Sequence, residues 1–351
     1  MNKFNKILIT GASGFIGARI AEIMYLTKSY QVRAGIRNWA SCARIGRFPM
    51  EIVNADIMNP YQINKALQGI SAIVHCAKGQ GEVTVKGTKN LLEAAINNNI
   101  KHFIHLSTTE VYGNVSGTID ENYTPIYTGN PYGDSKIAAE DICNEYSNKG
   151  LPITILRPPI VYGPFSKNWT LRIGRNLLTH KIKLIKGFGE GYCNLIYVDD
   201  VYRAVVSCLK NEDSIGKIYN INGPEIITWN EYFQKFNDSL GLPPLQSISA
   251  TESKRNALIM QPIKVLGTFV KNNYMESVKK LTSKSKTAKL LIKKLESRIK
   301  STPDLEDLNL YNRRAKYNAN FILETIKFKP KFYLYDGLDV TVKWLLHHSQ
   351  L

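Results

Sequence analysis

The sequence predicts an α/β protein: a doubly wound, mainly parallel sheet with a smaller, mostly helical C-terminal lobe. Three observations carry that expectation. Short β-rich runs alternate with longer helical runs through the first half of the chain. A glycine-rich turn joins the first strand to the first helix. From Trp229 onward, helical patterns dominate.

In order, strands are expected at Lys6–Thr10, Gln31–Ile36, Glu51–Asn54, Ala72–Cys76, His102–Ser107 and Ile153–Arg157. Helices fall between them at Phe15–Leu26, Pro60–Leu67, Val83–Asn97 and Pro131–Asn148; Leu91, Leu92, Ala94 and Ala95 give the third an apolar face at helical spacing. After Gly163 the pattern is irregular, with a strand at Leu195–Val198, a helix at Asp200–Leu209 and a break at Gly241–Pro244. Residues 273–300 read as a long helix with Met275, Val278, Leu281, Ala288, Leu291, Ile292, Leu295 and Ile299 on one side. The expected domains are a nucleotide-binding domain over 1–165, to which 195–210 return, and a substrate lobe over 166–194 and 211–351. The lobe contains a basic helical insertion at 254–300.

The 351 residues are 44% hydrophobic and 21% charged, ordinary for a folded protein and wrong for a disordered one. No run of eighteen uncharged apolar residues is present, and the chain enters strand-like sequence too early for a signal peptide. Five scattered cysteines form no C-x-x-C pair, which excludes a zinc ribbon and suggests a reducing compartment, so no metal site is expected and the location is read as cytoplasmic. The net charge of +17 is concentrated: residues 254–300 hold thirteen Lys or Arg against Glu276 and Glu296. Such a segment could lie on an anionic membrane surface, or its apolar stripe could pack on the body with solvated lysines. Nucleic-acid binding is disfavoured, since only Phe269 and Tyr274 are available there for base stacking.

Gly11-Ala12-Ser13-Gly14-Phe15-Ile16-Gly17 follows the first strand and opens the first helix. Glycines there permit a tight turn and close approach of backbone to a pyrophosphate, and the helix N-terminus favours the anion. No Asp or Glu stands at the end of the second strand to hold ribose hydroxyls; Arg37 occupies that place, with Arg44 and Arg47 shortly after. A guanidinium suits a 2′-phosphate, so NADP is favoured over NAD. Tyr132 and Lys136 lie at i and i+4 on one helix face, where an ammonium favours the phenolate of a tyrosine whose ordinary pKa is about 10. The fifth strand ends in Ser107-Thr108-Thr109-Glu110, which can deliver a hydroxyl to the same carbonyl.

With these motifs the sequence resembles the extended short-chain dehydrogenase/reductases, the NAD-dependent epimerase/dehydratase family. The carrying motifs are GASGFIG (11–17), Asp56-Ile57, His75-Cys76-Ala77, VKGTKNLLEAA (85–95), STTEVYG (107–113), YGDSK (132–136), RPPIVYGP (157–164) and YVDDV (197–201), in the family's order over about residues 5–205. The resemblance implies a Rossmann fold, Tyr132 as acid/base, Lys136 holding the nicotinamide ribose and lowering the tyrosine pKa, and Thr108 polarising the substrate oxygen. It further implies Asp56 and Ile57 by the adenine, Cys76, Ala77 and Ser107 along the cofactor, Pro158 and Val161 at the nicotinamide end, and a homodimer through Val83–Asn97 and Pro131–Asn148.

Two departures bear on substrate. Thr109 stands where dehydratases of the family place an Asp, while Glu110 is kept as a second possible acid/base. Cys193 fills the position where many nucleotide-sugar members carry a diphosphate-gripping Arg. The leading expectation is an NAD(P)-dependent oxidoreductase acting at a secondary alcohol or ketone of a small-molecule substrate, in particular a sugar of polysaccharide or glycolipid assembly. A nucleotide-sugar 4-epimerase or decarboxylase with tightly held NAD is the alternative, and a non-catalytic cofactor sensor or scaffold the alternative from another class.

Overall fold

The computed structural model describes residues 4–274, 287, 290 and 302–347. The chain divides into two compact units, Met1–Ser166 with Asn194–Ile226 and Ala315–Gly337, and Lys167–Cys193 with Ile227–Arg314 and Leu338–Leu351.

In the first unit, β1 (Lys6–Thr10), α1 (Phe15–Leu26), β2 (Gln31–Ile36), β3 (Glu51–Asn54), α2 (Pro60–Leu67), β4 (Ala72–His75), α3 (Glu82–Asn97), β5 (His102–Leu106), β6 (Gly117–Ile119), α4 (Pro131–Asn148), β7 (Ile153–Arg157) and β8 (Ile160–Tyr162) follow in order. The chain later adds β10 (Leu195–Tyr197), α6 (Val198–Lys210), β11 (Ile218–Asn220) and β13 (Ala315–Tyr317). The sheet is seven-stranded, in order β11-β7-β5-β4-β1-β2-β3. All its pairings are parallel. Ile7, Leu8 and Ile9 of β1 have no exposed surface, as expected of a strand covered on both faces. Beneath the sheet, Leu91, Leu92, Ala94 and Ala95 of α3 join Phe103, Ile153 and Tyr146 in one apolar cluster. This is a Rossmann fold. Strand order reverses beside β1, with β2 on one side and β4 on the other, and ligands of such sheets sit at the carboxyl ends near that reversal.

The second unit contains α5 (Arg172–Leu178), β9 (Leu184–Lys186), α7 (Trp229–Ser239), β12 (Ser247–Ser249), α8 (Ala250–Asn273) and the helix Leu305–Asn312. β9 and β12 pair in parallel. Its core gathers on the fully buried Trp229, whose ring lies 4.6 Å from Tyr311, 5.7 Å from Phe233 and 5.8 Å from Trp169.

Some boundaries differ from the sequence reading. Residues 211–226 and 315–337 belong to the first unit, because three-residue β11 completes the sheet against β7 and β13 pairs with β6. Segments of three residues carry too little period to be read from sequence. The helical pattern read over 273–300 lies outside the described residues from Met275 onward, save for Thr287 and Leu290.

Candidate active site

The carboxyl ends of β1 and β4 come together where Thr10 and His75 are register partners. Immediately beyond, Gly11 takes φ +66°, and a Cβ there would stand 2.7 Å from the backbone N and Cα of Ala77. A Cβ on Gly17 would stand 2.5 Å from the carbonyl oxygen of Gly11, so the turn and the first helix close on one another only without side chains. Helix α1 starts after Gly14 with no side-chain cap and no acidic residue in its first turn. Its first N–H groups and positive dipole end are therefore left for an anion. Ser13, Phe15 and Ile16 lie around this turn.

Asp56 sits beyond β3, half-buried. Its backbone N–H donates to Gln62 Oε1, and its Oδ1 accepts from the Met58 N–H at 3.0 Å. Ile57 is buried against Gly87 of α3. Burial pushes the Cys76 thiol up to about 12, so it is neutral lining rather than a nucleophile. Ser107 is buried with an Oγ that has no partner, a polar atom left to bond something outside the protein itself. The glycine cradle, the uncapped helix and this orphaned hydroxyl fit a dinucleotide.

Of the two arginines expected near the adenosine ribose, Arg37 is exposed just past β2. Arg44 is half-buried: it donates to Glu22 Oε2 at 2.9 Å, and its guanidinium lies 4.0 Å over the Phe165 ring. Glu22 also holds Arg47 at 2.9 Å and Arg19 at 3.3 Å. The Arg44 Nη1 also donates to the carbonyl of Phe15 in the glycine turn at 3.4 Å, so Arg44 stands between Glu22 and the turn expected to hold the cofactor.

Helix α4 opens on Pro131, and Asn130 caps it by accepting from the N–H of Tyr132 at 2.9 Å and of Gly133 at 3.4 Å. Asp134 accepts from the backbone N–H groups of Thr128 and Gly129, both at 2.9 Å, which fixes the approach to the helix. Tyr132 is thereby set at the first turn, 38% exposed. Thr108 itself is buried at the end of β5, where its Oγ1 accepts from the Glu110 N–H, and the Thr109 N–H donates to the Pro158 carbonyl. Glu110 follows in a short 3-10 turn, half-buried. Val161 is buried on β8, which pairs with β10. The structure thus brings together the Thr108, Glu110 and Tyr132 groups singled out in the sequence.

Lys136 lies one turn along α4 and is buried, its ammonium donating to the Leu106 carbonyl at 2.7 Å. Desolvation, with repulsion from Lys78, brings its pKa down to about 8. The Tyr132 phenol is held above its ordinary value, by desolvation first and also by the Glu110 carboxylate, while the nearby Thr108 hydroxyl works the other way. The expectation that Lys136 lowers the tyrosine pKa is therefore corrected for this arrangement: the ammonium is turned to a carbonyl.

Sequence reasoning missed Lys78. Its ammonium stands 4.6 Å from the centroid of the Tyr132 ring, close enough for a cation–π contact, and near enough to Lys136 to repel it. The available signal was position: Lys78 follows Ala77 at the carboxyl end of β4, where ligands of this architecture bind.

Behind the site, Arg157 at the end of β7 grips Glu140 of α4. Its Nη2 lies 2.6 Å from Oε2 and its Nε 3.1 Å from Oε1, while its Nη1 donates to Tyr112 Oη at 2.9 Å. Tyr112 Oη donates in turn to Asn220 Oδ1 at 2.8 Å. Cys193, in the second unit, is fully buried and its thiol pushed up by burial, so it offers nothing to a diphosphate.

The model of the NAD dependent epimerase/dehydratase family matches residues 7–222. The chain is 29% identical over 251 residues to an uncharacterized UDP-glucose epimerase of Bacillus subtilis (strain 168), covering 63% of this chain and 77% of that one. It is 27% identical over 250 residues to the N-acetyl-alpha-D-glucosaminyl-diphospho-ditrans,octacis-undecaprenol 4-epimerase of Escherichia coli O157:H7, covering 67% and 72%. Among solved structures, the UDP-glucuronic acid 4-epimerase of Bacillus cereus in complex with NAD superposes with a TM-score of 0.73 over 98% of each chain at 22% identity, which is a likeness of fold.

Proposed function

The chain belongs to the NAD-dependent epimerase/dehydratase family, and we propose that within it the protein transfers hydride at a secondary alcohol or ketone of a sugar. The observation that carries this reading is the gathering of charged and polar groups about one phenol: the Lys78 ammonium 4.6 Å from the Tyr132 ring, with Thr108 and Glu110 at the end of β5 acting on the same side chain. Tyr132 takes or returns the alcohol proton, Thr108 donates to the same oxygen, and Glu110 serves as a second acid or base. When bound, the nicotinamide supplies the hydride acceptor or donor. Gly11, Gly14, Gly17 and the first turn of α1 hold the pyrophosphate, Asp56 and Ile57 border the adenine, Ser107 and Ala77 line the cofactor, and Pro158 and Val161 meet its nicotinamide end. Lys78 supplies positive charge to whatever anionic oxygen develops at Tyr132, and Lys136 would hold the nicotinamide ribose. A proton transfer placed in this way contributes about 10²–10⁴-fold.

Two specific observations favour a second reading, a 4-epimerase that oxidises and re-reduces its sugar on a retained NAD. Both relatives named above carry epimerase names, and one acts on a lipid-linked sugar by name. The pairing of Arg44 with Glu22 also offsets part of the positive charge that would support NADP. Helices α3 and α4 pack against one another and are the surface proposed for a homodimer.

Denaturing freshly purified protein and identifying the released nucleotide separates the readings. Stoichiometric NAD favours the epimerase cycle, whereas an empty protein that binds NADPH far more tightly than NADH favours net reduction. Tyr132→Phe that still binds cofactor and keeps full turnover would overturn the shared mechanism.

A further inference from the structure

Among the described residues, helix α8 packs through one edge. Ser253, Ala257 and Met260 are buried, and Lys264 on the same edge donates to the Thr302 carbonyl at 3.0 Å and to Asp304 Oδ2 at 3.2 Å. At about 100° per residue, Leu258, Ile259, Val265, Leu266 and Phe269 fall on the opposite arc. Each of these five side chains is at least half exposed, from 50% at Leu258 to 65% at Val265. Single exposed apolar residues are commonplace, but five large ones sharing a helical face form the kind of patch that marks a contact. Exposed Lys254 and Arg255 flank its N-terminal end.

We propose that this face of α8 is a docking surface for an anionic phospholipid bilayer. Charge selects the occupant. The sequence of 254–300 holds thirteen Lys or Arg against two Glu, and of these Lys254 and Arg255 stand exposed beside the apolar face, so a second copy of that face would meet like charge, while a bilayer rich in anionic headgroups attracts it. An apolar stripe bordered by basic residues lies in the plane of an interface, with its large side chains among the upper acyl chains. Among the described residues, no helix is long and apolar enough to cross a membrane, so the mode is surface docking. The inference stands independently of the reaction proposed above, because it uses no residue of the candidate active site.

The test is co-sedimentation of the full chain with vesicles of phosphatidylcholine, with and without phosphatidylglycerol. Parallel samples contain the variant Leu266→Ser/Phe269→Ser, checked for native circular dichroism. The expected result is binding to the anionic vesicles only, weakened about tenfold or more as salt is raised past ~0.15 M, and weakened by a similar factor in the variant. Absence of binding to either vesicle overturns the proposal. So does anionic binding that the variant leaves untouched, since the apolar face would then be a bystander to plain charge adhesion. A concentration-dependent dimer that the variant dissociates, seen by analytical ultracentrifugation without lipid, overturns it in favour of a second copy. Tighter binding of a labelled single-stranded RNA than of the vesicles overturns it in favour of nucleic acid.

Discussion

Removing one charge from the Arg157–Glu140 pair should destabilise the first unit far more than removing both. Each side chain is only 3% exposed, and the carboxylate takes contacts from Nε and Nη2 of the same guanidinium. Glu140→Gln keeps the volume and one acceptor but leaves a buried cation without a counter-charge. Breaking such a pair costs about 3–5 kcal/mol, and the retained amide oxygen puts this variant near the low end, about 3 kcal/mol. For a unit of this size that corresponds to a fall in Tm of about 6–12 °C. The double variant Glu140→Leu/Arg157→Met removes both charges, and Tyr112 keeps its hydrogen bond to Asn220. It should recover most of the loss, to within about 1–2 kcal/mol of the parent. Scanning calorimetry and urea titration followed by far-UV circular dichroism measure both. The reasoning fails if Glu140→Gln lies within about 0.5 kcal/mol of the parent, or if the double variant is no better than the single one.

Gly11→Ala should lower affinity for the dinucleotide about tenfold or more, read by fluorescence titration, because the added Cβ meets the Ala77 backbone and the φ of +66° is unfavourable to it. Lys136 predicts a pH dependence of stability. Its folded pKa of about 8 lies below its ordinary 10.5, so its burial penalty is full below about pH 8 and is relieved as pH rises toward about 10.5, where the unfolded chain also loses the proton. Against Lys136→Met, which lacks the titration, the parent should therefore gain stability over that window by up to about 1.4 kcal/mol per pH unit; parallel curves would sink the argument. Lys78→Met should reduce kcat more than it raises KM if the ammonium over the Tyr132 ring acts on developing charge, and an unchanged kcat with a raised KM would instead make it a binding residue.

Much of the fold and site is legible from sequence where local chemistry and fold coincide. The strand–glycine–helix passage through Thr10–Gly17 requires close backbone approach, and the structure shows what approaches: Ala77, across the switch in strand order. Tyr132 can be read because a helix cap and an i, i+4 lysine surround it within a few residues. What is not legible depends on contacts between distant positions. The ion pair of Arg44 with Glu22, on the helix across from it, is announced by nothing nearby in sequence. Lys136 reads as the partner of Tyr132 by spacing, yet spacing does not say which way the ammonium turns. The return of 315–337 to the first unit rests on β13 pairing with β6, far earlier in the chain, and no local pattern announces such a pairing.

The cluster around Glu22 has a consequence for anyone redesigning cofactor preference. Three guanidiniums are gathered by one carboxylate on α1, and two of them stand on the loop that follows β2. Substitutions at Arg37 alone address the residue already facing outward. Neutralising Glu22 would release Arg47 and leave Arg44 held by the Phe15 carbonyl and the Phe165 ring. Glu22 is thereby joined to the glycine turn through a single side chain, that of Arg44.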